Sequence, residues 1–349
     1  MKNRKAIVAI VLTLVMVFAL TACGETKTGG EGGGNIAVSA QRTKDIYKDP
    51  IVINYIPMST AMENTPVIVS AMKDALACYP NVTLNVYDTQ FDPNNQITLI
   101  NEAITQGVDG IIVQCADSVA LNRVIDEAEA AGIVVFTMNI GNTASPSMHI
   151  TNSDYRAGYE AAAFLDGYLG GEGNLIILDV APEIKETCPV ATGFEDYIDE
   201  HGVFNLLENV GMVTLVEQAY NAMRDLLTKY SDIDLIYCAN DNQSIGAYQA
   251  IKEAGRENEG IIIFGFEGQP TALDAIKKGT VFGTSYSDPY YESFVMTCML
   301  LHYIELGINS QKLGLEYTPS LELGVTIVTA ENIDAIIANT HWDMSAYNK

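Results

Sequence analysis

Two apolar runs in this chain each end on a polar residue that could hold a ligand. Gly132-Ile-Val-Val-Phe-Thr-Met leads to Asn139, and Gly260-Ile-Ile-Ile-Phe-Gly-Phe leads to Glu267. An asparagine amide both donates and accepts hydrogen bonds, and an ionised glutamate only accepts. Further polar groups follow the preceding apolar run in each case: Gln114 to Asp117, and Asn240-Asp241-Asn242. Hydrogen bonding to a polar solute is the chemistry these residues offer. Covalent chemistry has no comparable support. The chain has no Gly-x-Ser-x-Gly, no Gly-x4-Gly-Lys-Ser/Thr, no His-Glu-x-x-His and no Cys-x-x-Cys. His149, His201, His302 and His341 are scattered, and no carboxylates are spaced as an acid and a nucleophile. Gly170-Gly171-Glu172-Gly173 precedes a strand, whereas a dinucleotide site needs it between strand and helix. The expectation is a binding protein with no enzymatic activity, no cofactor and no metal. Helix capping and turn formation are the competing roles for Asp117, Asp241, Asn242 and Asn139. Glu267 fits that alternative less well, because the favoured caps are Ser, Thr, Asp and Asn.

The elements that must position these residues alternate strand and helix. Ile51–Ile56, Thr83–Tyr87, Gly110–Val113 and Ile133–Met138 read as strands, separated by helices over 66–77, 97–106 and 119–131. The series restarts after His149 with a helix over 155–169 and a strand over 174–179. A helix over 189–200, a strand over 212–216 and a helix over 220–230 follow. A strand over 235–238, a helix over 244–254 and a strand over 261–264 complete it. Short β-branched runs between helices of this length signal an α/β fold with parallel sheets covered on both faces. The two halves also resemble each other at an offset of roughly 125–128 residues, which suits two similar lobes. In open parallel sheets ligands bind beyond the carboxyl ends of the strands. Asn139 and Glu267, at equivalent strand ends, are therefore expected to face one shared cleft.

The first 22 residues are of another kind. Lys2, Arg4 and Lys5 precede an apolar run from Ala6 to Leu20, too short to span a bilayer comfortably but right for a cleavable export signal. Leu20-Thr21-Ala22-Cys23 resembles the lipobox of bacterial lipoproteins, which implies a lipidated Cys23 at the new N-terminus on the extracytoplasmic face of the cell membrane. Loss of this leader leaves 16 Lys+Arg (19 minus 3) against 44 Asp+Glu, a formal charge of −28. Such a surface repels phosphate backbones and anionic headgroups, so no nucleic acid is expected and the lipid is the only membrane contact. Gly24 to about Asp49, with its Gly29–Gly34 core, reads as a flexible tether. Cys78, Cys115, Cys188, Cys238 and Cys298 read as buried small hydrophobes, with a single bridge the alternative.

From about Ile51 to the 320s the chain resembles the ribose/galactose-type periplasmic binding proteins, the substrate-binding subunits of sugar ABC importers. The resemblance is carried by Val86-Tyr-Asp-Thr-Gln-Phe-Asp-Pro93 with Gln96, by Gly107-Val-Asp-Gly-Ile-Ile112, by Ala239-Asn-Asp241 with Gly246-Ala247, and by Gly265-Phe-Glu-Gly-Gln-Pro270. It implies two doubly wound parallel-sheet lobes joined by a three-crossing hinge near Thr151, Ser287 and Tyr317–Pro319. The first lobe then takes residues 50–151 and 288–317, and the second takes 152–287 and 318–349. The resemblance also implies a monomer that delivers a sugar-like solute to an ABC permease and its ATPase. A sensor that presents its closed form to a membrane kinase or chemoreceptor is the alternative. Carried over residue by residue, it places Asn64, Asn139, Tyr220, Asn240, Glu267 and Ser287 at the ligand. Val67-Ile68 stand where the family has an aromatic pair, and Ile140 and Val190 stand where it often has arginines. The ligand is therefore expected to be neutral or cationic and rich in hydrogen-bond donors.

Overall fold

The computed structural model describes residues 43–117, 119–139, 144, 146–181, 188–314 and 318–347. The leader, Cys23, Ile140 and Tyr317 lie outside the described residues. Within them the chain forms two α/β lobes, each around one six-stranded sheet.

The first sheet is built from β1 (Ile51–Ile56), β2 (Val82–Val86), β3 (Gly110–Val113), β4 (Val134–Met138), β5 (Met148–Asn152) and β11 (Ser320–Leu323), in the order β11-β5-β4-β3-β1-β2. All its pairings are parallel. Helices α1 (Thr65–Leu76), α2 (Pro93–Gln106) and α3 (Asn122–Ala130) connect the strands. The strand order reverses between β1 and β3, which opens a crevice at their carboxyl ends. β3 and β4 are buried along their whole length, as the unbroken apolar runs require of strands covered on both faces.

The second sheet repeats the pattern with β6 (Asn174–Leu178), β7 (Asn205–Val210), β8 (Leu235–Cys238), β9 (Ile262–Glu267), β10 (Gly283–Tyr286) and β12 (Thr326–Thr329), ordered β12-β10-β9-β8-β6-β7. Only β12 runs antiparallel to its neighbour. α4 (Asp154–Leu169) and α5 (Val190–His201) cover one face of this sheet. α6 (Val216–Lys229), α7 (Asp241–Glu253), α8 (Pro270–Lys277) and α11 (Ile333–Asn339) cover the other. β4 and β9 occupy equivalent places, so Asn139 and Glu267 end matching strands.

The chain passes between the sheets after β5, after β10 and between β11 and β12. The last crossing falls between Leu323 and Thr326, beyond the expected Tyr317–Pro319, because β11 pairs with β5 over Ser320–Leu323 before the chain leaves. After the second crossing, α9 (Pro289–Leu306) returns to the first lobe. Asp288 caps it by accepting from the Tyr290 and Tyr291 amides, and Met296, Leu300 and Ile304 pack on Tyr55 and Phe136. The short α10 (Ser310–Leu313) follows.

Three expectations need correction. The strand expected over 212–216 is a loop and a helix start, and the true strand is the edge strand β7. β7 pairs only with β6 and is half-exposed, so it carries Glu208 and Asn209 and lacks a buried strand's apolar signature. The tether also ends earlier than Asp49. Thr43 donates its amide to the Glu305 carbonyl at 2.9 Å, Lys44 pairs with Asp109, and Ile46 is buried in the first-lobe core. Finally, Cys115 and Cys238 are buried but Cys78 is exposed, and all five described cysteines are free thiols.

Candidate functional site

Three amide side chains stand at or just beyond the carboxyl ends of neighbouring strands of the first sheet. Asn64 follows β1, Gln114 follows β3 and Asn139 follows β4. Each has a buried side-chain oxygen with no hydrogen-bond partner among the described residues. Asn64 stands at the N-cap of α1 yet makes no capping bond with its side chain. A buried polar atom left unpaired costs about 1–3 kcal/mol. Three such oxygens lie along the carboxyl edge of one sheet, at β1, β3 and β4. Asn64 and Asn139 were expected here. Gln114 belonged to the polar cluster read after β3, but burial of its amide was not legible from spacing.

The second lobe contributes a carboxylate at the matching place. Glu267 ends β9 with φ at 108°, and Asn139 after β4 has φ at 61°. Left-handed backbone is uncommon for any residue but glycine, and such strain clusters at ligand clamps. The support is also matched. The Thr151 hydroxyl donates to the Asn139 carbonyl at 3.3 Å, and the Ser287 hydroxyl donates to the Glu267 carbonyl at 3.3 Å. Thr151 and Ser287 lie at the first two crossings, so the hinge strands themselves hold the two strained residues. Ser287 therefore bears on the site through the Glu267 backbone.

The Glu267 carboxylate accepts from the Gln269 amide through one oxygen. Burial, and then the neighbouring Asp241 charge, push its pKa up to about 8, against the pull of Gln269. Asp241 is fully buried. It accepts from the Gln269 backbone at 2.7 Å and from the Thr284 hydroxyl at 2.8 Å, which fixes the turn that carries Glu267. Gly265 leaves room for that carboxylate, since a Cβ there would run into Asp241 Oδ1 and Ser244 Oγ. Gly268, at φ 77°, lets the turn lie against Tyr286.

Asn240 and Tyr220 come out differently. Asn240 is the N-cap of α7: its Oδ1 accepts from the Gln243 amide at 3.0 Å, and Gln243 Oε1 accepts from the Asn240 amide at 3.1 Å. Its Nδ2 donates to the Thr214 carbonyl at 3.3 Å. Asn240 is at the strand end, but its side chain is committed to capping. The structure does not bring Tyr220 to the site. Its hydroxyl donates to Glu253 at 2.6 Å, at the far end of α7 and about 20 Å along that helix from Asn240. Met212 and Leu215, in the loop before α6, are both exposed. Val190 is buried in the second-lobe core, whereas Val67 joins an apolar cluster whose other buried residues belong to the second lobe.

Against known proteins, residues 58–307 match the family model described as periplasmic binding protein domain. The chain belongs to the periplasmic binding protein family. It is 26% identical over 288 residues to the ribose import binding protein of Bacillus subtilis, covering 82% of this chain and 88% of that protein. Its fold is similar to that of a Bacillus halodurans ABC transporter solute-binding protein with bound myo-inositol, with a TM-score of 0.71 and 21% identity. That match covers 85% of this chain and 99% of the other. It is also similar to the periplasmic ribose ABC transporter from Conexibacter woesei, at TM-score 0.75 and 19% identity over 85% and 97% of the two chains. Like its relatives, this binding protein has two α/β lobes, and no described helix is long and apolar enough to cross a membrane.

Proposed function

We propose that this chain is a lipid-anchored solute receptor on the extracytoplasmic face of the cell membrane. It closes on a sugar or polyol and delivers it to an ABC permease and its ATPase. The observation that carries the reading is the set of unpartnered amide oxygens of Asn64, Gln114 and Asn139 at three adjacent strand ends, with Glu267 at the matching end in the other lobe. A polyhydroxylated ligand supplies donors to all four groups. The relatives named for ribose and the neighbour holding myo-inositol support the same class. The Leu20–Cys23 segment supports the anchor.

A thermal-shift screen of the full-length protein over pentoses, hexoses and polyols tests the ligand class. A solute at 100 times its dissociation constant adds about 2.7 kcal/mol of stability. No shift with any of them would remove the sugar reading. The anchor is tested separately: Cys23→Ser should abolish acyl labelling and release the protein from membranes.

A further inference from the structure

The acidic groups around Glu267 extend beyond what a neutral polyol needs. Asp154 begins α4 directly after the first crossing, and Glu292 lies in the first turn of α9 directly after the second. Glu267 and Asp154 are within electrostatic reach of each other, as are Asp154 and Glu292. The Cys188 thiol donates to Asp154 and faces Glu267, and Glu63 also acts on Glu267. Glu322, on β11 before the third crossing, adds to the same field at Asp154 and accepts from the Ser153 hydroxyl at 2.9 Å. None of the ion pairs formed by described lysines and arginines includes Glu267, Asp154, Asp241 or Glu292.

A second observation points to a ligand. Glu292 is 1% exposed, and its Oε1 has no partner among the described residues. The Tyr55 hydroxyl beside it, on a fully buried side chain, is also unpartnered. In the second sheet the buried Ser285 hydroxyl, one residue before the β10 position paired with Glu267, has no partner either. Like charges gathered in a desolvated cleft repel strongly unless protons or a cation neutralise them.

We infer that the ligand carries a protonated amine, held at Glu267 within the field of Asp154, on the polyhydroxylated frame that the first-lobe amides read. This rests on the sugar or polyol reading and narrows it to amino-substituted members. The donor set favours an organic cation over a metal ion, since no group of three His, Cys, Asp or Glu among the described residues is arranged to hold one. An ammonium gives three donors and a charge to the carboxylates, and its hydroxyl-bearing ring serves Asn64, Gln114 and Asn139. In the empty cleft burial and Asp241 hold Glu267 protonated up to about pH 8, so binding a cation at lower pH expels a proton.

The test is calorimetric titration of the full-length protein at about pH 6.5, where amines of this kind are charged. The probes are matched pairs: glucosamine with glucose, galactosamine with galactose, an inosamine with myo-inositol, and N-acetylglucosamine as the uncharged amide. The amino member of at least one pair should bind about 10- to 150-fold more tightly, the range for a hydrogen bond to a charged group. N-acetylation should remove the gain. Titration in two buffers of different ionisation heat should show net proton release. Glu267→Gln should erase the amine preference and the proton release while keeping the fold. If neutral members bind as tightly as their amino partners, the amine inference is wrong and the polyol reading stands. If no probe of either kind binds, both are wrong.

Discussion

At Glu267 the backbone sits at φ 108°, and the proposed function makes its side chain the second-lobe group that meets the ligand. Asn240, just past the end of the preceding strand, has both ends of its amide engaged in the α7 cap and the Thr214 carbonyl. These roles predict opposite effects. Glu267→Ala should weaken affinity for a confirmed ligand about 10- to 150-fold, with little change in ligand-free melting. Asn240→Ala should lower ligand-free stability by about 0.5–2 kcal/mol, the usual loss for a cap, with only a small change in affinity. Titration and denaturant unfolding of the two variants separate the cases, and a large affinity loss in Asn240→Ala would return that residue to the binding surface. Tyr220→Phe should leave affinity unchanged, because its hydroxyl is bonded to Glu253.

At the scale of elements, the second lobe depends on helix pairs that approach through glycine. A Cβ on Gly193 of α5 would run into the Tyr155 carbonyl of α4, and one on Gly158 of α4 would run into the Val190 carbonyl of α5. Gly246 of α7 faces the Val216 carbonyl of α6 in the same way. The obstacles are backbone, which cannot turn aside as a flexible side chain can. Gly193→Ala and Gly246→Ala should therefore each cost about 1–3 kcal/mol, the range for overpacking. Parental midpoints in urea would show that the helices can separate at no cost. Helix propensity alone predicts the other sign, since alanine is favoured over glycine in a helix by about 1 kcal/mol.

Across the whole molecule, the carboxyls gathered near the crossings couple stability to pH. Burial raises Glu267 to about 8 and Asp154 and Asp241 to about 7, each from the ordinary carboxyl range. The folded state therefore binds more protons than the unfolded chain between about pH 4 and 8, and stability falls as pH rises through that window. Ligand-free protein should melt at a lower temperature at pH 8 than at pH 5, and a melting temperature that rises over this range would contradict the assignment. A saturating ligand should also shrink the radius measured by small-angle scattering if the lobes close on it. An unchanged profile would argue against closure.

The alternating runs of Ile51–Ile56, Gly110–Val113 and Leu235–Cys238, and the repeat that aligns Asn139 with Glu267, were enough to establish two α/β lobes and the strand ends to watch. Local pattern carries that information because a strand buried on both faces must be apolar throughout, and a polar residue that ends it stands out. Edge strands such as β7 escape the same test, since one side meets water and tolerates Glu208 and Asn209. Sequence could not distinguish a cap from a ligand group at Asn240, because the same amide suits both and only its bonds to Gln243 and Thr214 decide. Nor could it place Asp154, Glu292 and Glu322 together. They are separated by up to 168 positions (322 minus 154), and only the three passages of the chain between its sheets bring their charges within reach of one another.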